Sequence, residues 1–435
     1  MFKSQIAKHS YHNLLGQAFP LLIGLVVIPK LIQQMGLERF GVLTLVWAVI
    51  GYFSFLDFGL SRVMTLKVSA MLGFKSSVEI SETFWSILKL ILLITSIGAM
   101  GLYIFGEWTS AHDFLRSKAS ESVYREGLLS LKIMALTLPA ITLTAGLRGF
   151  LEAKEQFPRL SFLQIQMGTF NFLIPFGIAF LSPQLPWIVF GLALLRYLYM
   201  GLHLRLCFSV EPALKNYRSL PLSQSTHLMR EGGWVSISNV IGPVMVYFDR
   251  FFVAAMIPTA QIPYYTTPAE IVSRLLILPS ALSRTLFPAF AKQADVAHRI
   301  HLYRRGSLVL AVIMFGIVLF GIAVGRFALK QWLGEEFAEN SYPALAILLV
   351  GIGFNSVAWI PFALIQGLGR SDLTAKVHLV ELPLYITSLW FLISNWGLRG
   401  AALAWTLRCF FDYVILSIIA GRIIQGSGDQ LHPKS

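Results

Sequence analysis

The sequence predicts an all-α integral membrane protein of about twelve transmembrane helices in two six-helix bundles. Composition is the first reason. Of 435 residues, 56% are hydrophobic and only 13% charged, with a mean hydropathy of +0.67, too apolar for a chain whose whole surface meets water. The second is spacing: apolar runs of roughly 20 residues, each long enough to cross a bilayer, follow one another with short connectors. The third is a set of markers that recurs in the same order in the two halves.

Taken in order, the first run covers 12–32. Lys3 and Lys8 precede it, Pro20, Gly24 and Pro29 interrupt it, and no small-residue cleavage site follows, so it is expected to be a retained helix and not a signal peptide. The next five runs are 40–60, 84–105, 128–147, 160–181 and 187–208, and a polar stretch at 209–229 closes the first half. The second half holds 232–256, 262–290, 306–325, 342–364, 377–393 and 398–419. Glu270 and Arg274 break the eighth run, making it the weakest of the twelve. The expected bundles are residues 1–212 and 213–435.

The repeat markers are Leu60-Ser61-Arg62 against Leu282-Ser283-Arg284, Leu195-Arg196 against Leu407-Arg408, and the helix-closing Gly149 against Gly367. They sit about 212 to 222 residues apart, and six helices per half is an even number, so the halves should be related by an axis along the membrane normal. Lysine and arginine number about 21 on the side carrying both termini and about 8 on the other, which places both termini in the cytoplasm.

This topology also accounts for the net charge of +13, so a nucleic-acid partner is not needed to explain it. Cys207 and Cys409 each lie inside an apolar run and are read as packing residues, neither disulfide nor zinc ligands. The chain holds no Gly-Lys dipeptide, which excludes a phosphate-cradling ATPase loop, and no His-Glu-x-x-His or Gly-x-Ser-x-Gly. Its external loops are short, against a membrane glycosyltransferase or polymerase. The reading is a transporter, not an enzyme, with no cofactor or metal implied.

Charges at bilayer depth cost about 2.5 to 3.5 kcal/mol or more each, so each needs an escape or a function. Lys89 and Lys132 lie near helix ends and are expected to snorkel. Glu270 and Arg274, and Arg408 and Asp412, are four residues apart and can neutralise each other or line a watery cavity. Arg196 and Arg408 lie mid-helix at equivalent places in the halves, which suits gripping an anion in a central cleft, with an inter-helix clamp as the alternative. Asp249 and Arg250 are adjacent, point about 100° apart, and so need separate partners. Arg62 and Arg284 end equivalent helices and serve either topology or a ligand-gathering mouth. Asp57, Asp249, Glu270, Glu381 and Asp412 are the acidic candidates for gating or ion coupling.

Gly36-Leu37-Glu38-Arg39-Phe40-Gly41, Asp57-Phe58-Gly59-Leu60 and Asp249-Arg250-Phe251-Phe252-Val253 resemble the Wzx-type polysaccharide flippases of the multidrug/oligosaccharidyl-lipid/polysaccharide (MOP) exporter superfamily, over the whole chain. The resemblance implies two bundles around a V-shaped cleft in the bacterial inner membrane. It implies carriage of undecaprenyl-diphosphate-linked oligosaccharide to the periplasmic leaflet by alternating access, for O-antigen, capsule or exopolysaccharide synthesis. The cleft cations Arg196, Arg408, Arg250, Arg274, Arg62 and Arg284 would hold the diphosphate while the lipid tail stays in the bilayer. Coupling to H+ or Na+ and contact with a polysaccharide polymerase and chain-length regulator come with the same likeness. The alternative within the superfamily is the drug and cation antiporter branch, which favours acidic binding residues.

Overall fold

The computed structural model describes residues 2–52, 57, 59–111, 118–216, 241, 245, 248–292 and 296–429, with the side chains of 2–18 and 425–429, of Arg284 and of seven other residues beside the gaps left aside. It divides into two compact units, Met1–Val240 with Pro258–Ala260 and Ile241–Ile257 with Gln261–Ser435. Among the described residues every regular element is helical.

The first unit holds α1 (Phe2–Tyr52), α2 (Leu60–Met71), α3 (Ser77–Ala111), α4 (Glu121–Ala153), α5 (Phe157–Leu181) and α6 (Leu185–Val210). The second holds α7 (Asp249–Met256), α8 (Ile262–Arg274), α9 (Ile277–Lys292), α10 (Val296–Leu333), α11 (Glu335–Gly367) and α12 (Ser371–Asp429). Six of these, α3 to α6, α10 and α11, are each long and apolar enough to cross a membrane.

The longest two helices each cover two of the expected crossings. At 51 residues α1 would run about 76 Å if straight, well over twice a hydrocarbon core of roughly 30 Å. It bends at Gly36, whose φ of 78° a side chain would strain, and this point divides run 12–32 from run 40–60. The 59 residues of α12 bend in the same way at Gly397, φ 55°, between runs 377–393 and 398–419.

Two runs differ from expectation. The eighth is not one helix: it breaks into α8 and α9 at Leu275 and Leu276. Pro279 is the physical cause, because it has no N–H to give the Leu275 carbonyl, which instead accepts from Leu278 in a tightened turn at 3.2 Å. The second run is helical to Tyr52, residues 53–56 and 58 lie outside the described residues, and Leu60, its last residue, begins a separate helix, α2. The seventh run lies mostly outside the described residues, with α7 covering its end.

In the first unit α4 is the hub, packed against α2, α3 and α6, while α5 lies on α1. Phe84, Ile87, Ile91, Phe150, Leu151 and Cys207 fill the core there. Gly149 lets α2 approach: a β-carbon on it would lie 2.3 Å from the Ser61 carbonyl oxygen, and the Thr65 hydroxyl donates to the Gly149 carbonyl at 3.0 Å. Thr95 and Thr142 share a buried 2.9 Å hydrogen bond between α3 and α4, the kind of polar contact that joins helices where lipid supplies no hydrophobic drive.

One end of this unit is tied by the residues of the Gly36–Gly41 run. Glu38 accepts from the Ser120 backbone and hydroxyl, and Arg39 forks onto Glu126 at 2.9 and 2.7 Å. Glu126 also accepts the Leu185 N–H at the start of α6, a helix end whose amides have no partner within the helix. Lys132, expected to snorkel, meets Glu107 at 2.7 Å and lies over Tyr103. Lys89 is half-buried.

Candidate functional site

The second unit concentrates ionisable groups on one helix. The bend at Gly397 lies close to midway between His378 and Asp412 and folds the arms of α12 back on each other. His378, Glu381 and Tyr385 share a face of the first arm by their i, i+3, i+7 spacing, and Trp405, Arg408 and Asp412 share a face of the second. All six are buried.

Their ligating atoms converge. One from each of His378, Glu381 and Asp412 lies within 4.8 Å of the others. Arg408 approaches Asp412 at 3.7 Å, and the His378 Nε2 approaches the other Asp412 oxygen at 3.6 Å, within ion-pair range and too long for a hydrogen bond. Both Glu381 oxygens, Asp412 Oδ1, His378 Nδ1, Arg408 Nε and the Tyr385 hydroxyl are buried without a hydrogen-bond partner among the described residues. Phe362 of α11 stacks on the His378 ring at 5.9 Å, and Asn355 donates to Cys409. Buried polar groups cost roughly 1 to 3 kcal/mol each when unpaired, so their concentration at one place marks a site that serves something besides stability.

Beside it, Asp249 and Arg250 of α7 find the separate partners that adjacency demands. Asp249 accepts a short hydrogen bond from the Tyr265 hydroxyl and the Arg250 N–H. Arg250 reaches Glu270 at 3.5 Å, and Glu270 in turn pairs with Arg274, giving an Arg–Glu–Arg chain that runs from a buried to a half-exposed end. Asp249 also lies within electrostatic range of Arg408, so α7, α8 and α12 share one charged region.

The other residues stand apart from this cluster. Arg196 of α6 donates to the Asn171 side-chain oxygen on α5 at 2.8 Å, a neutral partner. Asp57 is buried and caps α2: its two oxygens accept from the Gly59 and Ser61 N–H groups at 2.9 and 3.1 Å, with Gly59 at φ 77°. That gives it a local structural task. Arg62 is exposed on α2. The Arg284 side chain lies outside the described residues.

Sequence reasoning missed His378, Tyr265, Tyr385 and Asn171. The first was detectable, since His-x-x-Glu on an apolar helix puts imidazole and carboxylate on one face.

Comparison with known proteins decides the family. The profile of a family described as "Polysaccharide biosynthesis protein" matches residues 6–294. The chain belongs to this family. A Shigella flexneri member named "Putative O-antigen transporter" is 30% identical over 421 residues, spanning 96% of this chain and 98% of its own. Among solved structures, an inward-facing multidrug MATE transporter of the MOP superfamily aligns with TM-score 0.77 at 13% identity, covering 96% of this chain and 99% of its own. A Pyrococcus furiosus MOP transporter, described as having reversed binding-pocket polarity, aligns at TM-score 0.65 and 14% identity over 97% and 96%. This polysaccharide biosynthesis protein therefore has the all-α MOP exporter fold and is a multi-pass membrane protein.

Proposed function

We propose that the protein is a flippase that moves undecaprenyl-diphosphate-linked oligosaccharide units from the cytoplasmic to the periplasmic leaflet of the inner membrane, by alternating access of two halves, 1–212 and 213–435, with both termini cytoplasmic. The observation that carries this reading is full-length likeness to a relative named as an O-antigen transporter, 30% identical over 96% of the chain. The site chemistry supports it. Arg196, Arg250 and Arg408 keep their charge when desolvated and can fork onto phosphate oxygens, which suits a diphosphate headgroup. Arg274 extends that chain, and Arg62 and Arg284 would gather the headgroup at the cytoplasmic mouth. The prenyl tail needs no protein pocket, because it stays in the bilayer.

The acids Asp249, Glu270, Glu381 and Asp412 are proposed to couple transport to an ion gradient, with Asp57 supporting them only by holding α2. A polysaccharide polymerase and chain-length regulator are proposed to take the product on the far side.

The test is mass spectrometry of polyprenyl-linked glycans, with staining of surface polysaccharide, in a strain lacking the gene and in its complemented counterpart. Accumulated lipid-linked units and lost surface polymer are expected. Intact glycan with altered resistance to cationic drugs would refute the flippase and favour the antiporter branch.

A further inference from the structure

We propose that His378, Glu381 and Asp412 hold one exchangeable proton, and that taking it up unmasks Arg408 for the anionic head of the substrate. Proton and substrate then bind with positive coupling. The second half rests on the diphosphate-linked substrate proposed above.

A charge count comes first. Around Asp249 the charges balance, with Arg250 and Arg274 against Asp249 and Glu270. Around Asp412 they do not: among the described residues Arg408 alone faces two buried carboxylates, leaving one negative charge uncompensated while His378 is neutral. An unpaired charge at this depth is too costly to stand, so the cluster must take up one positive charge.

Geometry selects the proton. Both oxygens of Glu381, one of Asp412 and Nδ1 of His378 have no hydrogen-bond partner among the described residues, and one ligating atom from each of the three residues lies within 4.8 Å of the others, so a proton has several seats. The donor types also match a transition metal, but a dication would be set against the guanidinium 3.7 Å from Asp412. A sodium ion would gain little from the imidazole, because hard cations favour oxygen ligands.

Among the described residues, the other groups packed against α12 do not supply the missing charge. From α11 come Asn355, Ser356 and the Phe362 ring, all neutral. From α7 and α8 come Asp249, held by Tyr265, and Arg250, already paired with Glu270. From α10 comes Tyr303, which meets Ser417.

The sign follows. With both carboxylates ionised, Arg408 is neutralised by Asp412 on its own face and Glu381 across the bend, and has little attraction left for phosphate. One proton on the cluster removes half of that competition and leaves the guanidinium free to exchange Asp412 for a substrate oxygen. By reciprocity, a bound anion draws the proton in. This is the reverse of a site where proton and cationic substrate compete for one carboxylate.

The test uses the full chain in lipid nanodiscs and a prenyl-diphospho-N-acetylglucosamine, a diester whose two phosphates stay ionised throughout. Binding is expected to be tighter at about pH 6 than at about pH 8 by on the order of tenfold. Glu381→Gln and Asp412→Asn, which fix the cluster in a neutralised form, should bind tightly at both. In parallel, the infrared carbonyl band of a protonated carboxyl should be present in the wild type at the lower pH and be weakened in Glu381→Gln. Binding that is pH-independent, or tighter at the higher pH, overturns the coupling, as does wild-type pH dependence in both variants. A wild type that never binds the probe yet shows the titrating band refutes the diphosphate substrate and leaves the proton seat in place. A missing carboxyl band, with no imidazolium band in its place, overturns that seat.

Discussion

Two arginines occupy matching places in the two halves of the sequence, Arg196 after Leu195 and Arg408 after Leu407, and the structure surrounds them differently. Arg196 is held by the neutral oxygen of Asn171 on the neighbouring helix. Arg408 is buried with Asp412 one turn on and His378 and Glu381 across the bend of α12. The same dipeptide therefore gives a constant cation in one unit and a cation masked by acids in the other. Positions matched in the sequence keep their charge while their partners differ, and on the proposal above the partners decide whether protons act on the site.

That contrast can be broken experimentally. The largest effect is expected for Arg408→Gln, which should abolish glycan transport and, by stranding two buried carboxylates, destabilise the protein by about 3 to 5 kcal/mol. Adding Asp412→Asn should restore much of the thermal stability measured in detergent but none of the transport. Recovery of transport by the double variant would show that Arg408 serves only the fold.

A purely steric effect ranks next. Gly149→Ala forces a methyl group against the Ser61 carbonyl and should cost about 1 to 3 kcal/mol in the unfolding midpoint. Gly177→Ala on α5 meets nothing within 4 Å and serves as the matched control, expected to be neutral or slightly stabilising.

Arg196→Gln sharpens the comparison from the other side. It should cost stability only modestly, about 1.5 to 3 kcal/mol, since a charge-assisted hydrogen bond to a neutral amide and not a buried ion pair is lost. Transport should still fall, and whatever rate remains should keep the wild-type response to pH. A changed pH response in this variant would tie Arg196 to the acidic cluster. The smallest effect is expected for Arg39→Lys, which keeps the charge but loses the fork onto Glu126. A drop of about 1 kcal/mol or less, with unchanged pH dependence, is the expected reading of a thermal scan.

Much of the architecture was legible in the residues because lipid imposes a length and a polarity that few other constraints override. The turns at Gly36 and Gly397 fall between expected crossings, and Gly149 and Ser61, noticed only as repeat markers, touch each other. The break of the eighth run was harder to read. Pro279 is one of several prolines inside the apolar runs, each expected to break a backbone bond, and nothing local shows that this one ends a helix where Pro139 and Pro175 do not.

The site was legible as types of residue and not as a set of partners. Spacing along one helix shows Arg408 beside Asp412 and Glu270 beside Arg274, because those pairs are local. Nothing local connects Asp249 to Tyr265, Arg196 to Asn171 or His378 to Asp412, since these contacts depend on how separate helices or the two arms of α12 meet. His378 with Glu381 was legible as a local pair by its i, i+3 spacing, but its approach to Asp412 across the bend was not.

The most direct measurement is transbilayer movement of a fluorescent prenyl-diphosphate-linked glycan in proteoliposomes containing the purified protein. The account predicts protein-dependent movement that rises as the pH is lowered toward about 6 and is lost in Arg408→Gln. Movement no faster than in protein-free liposomes at any pH, or an equal rate in Arg408→Gln, would contradict it.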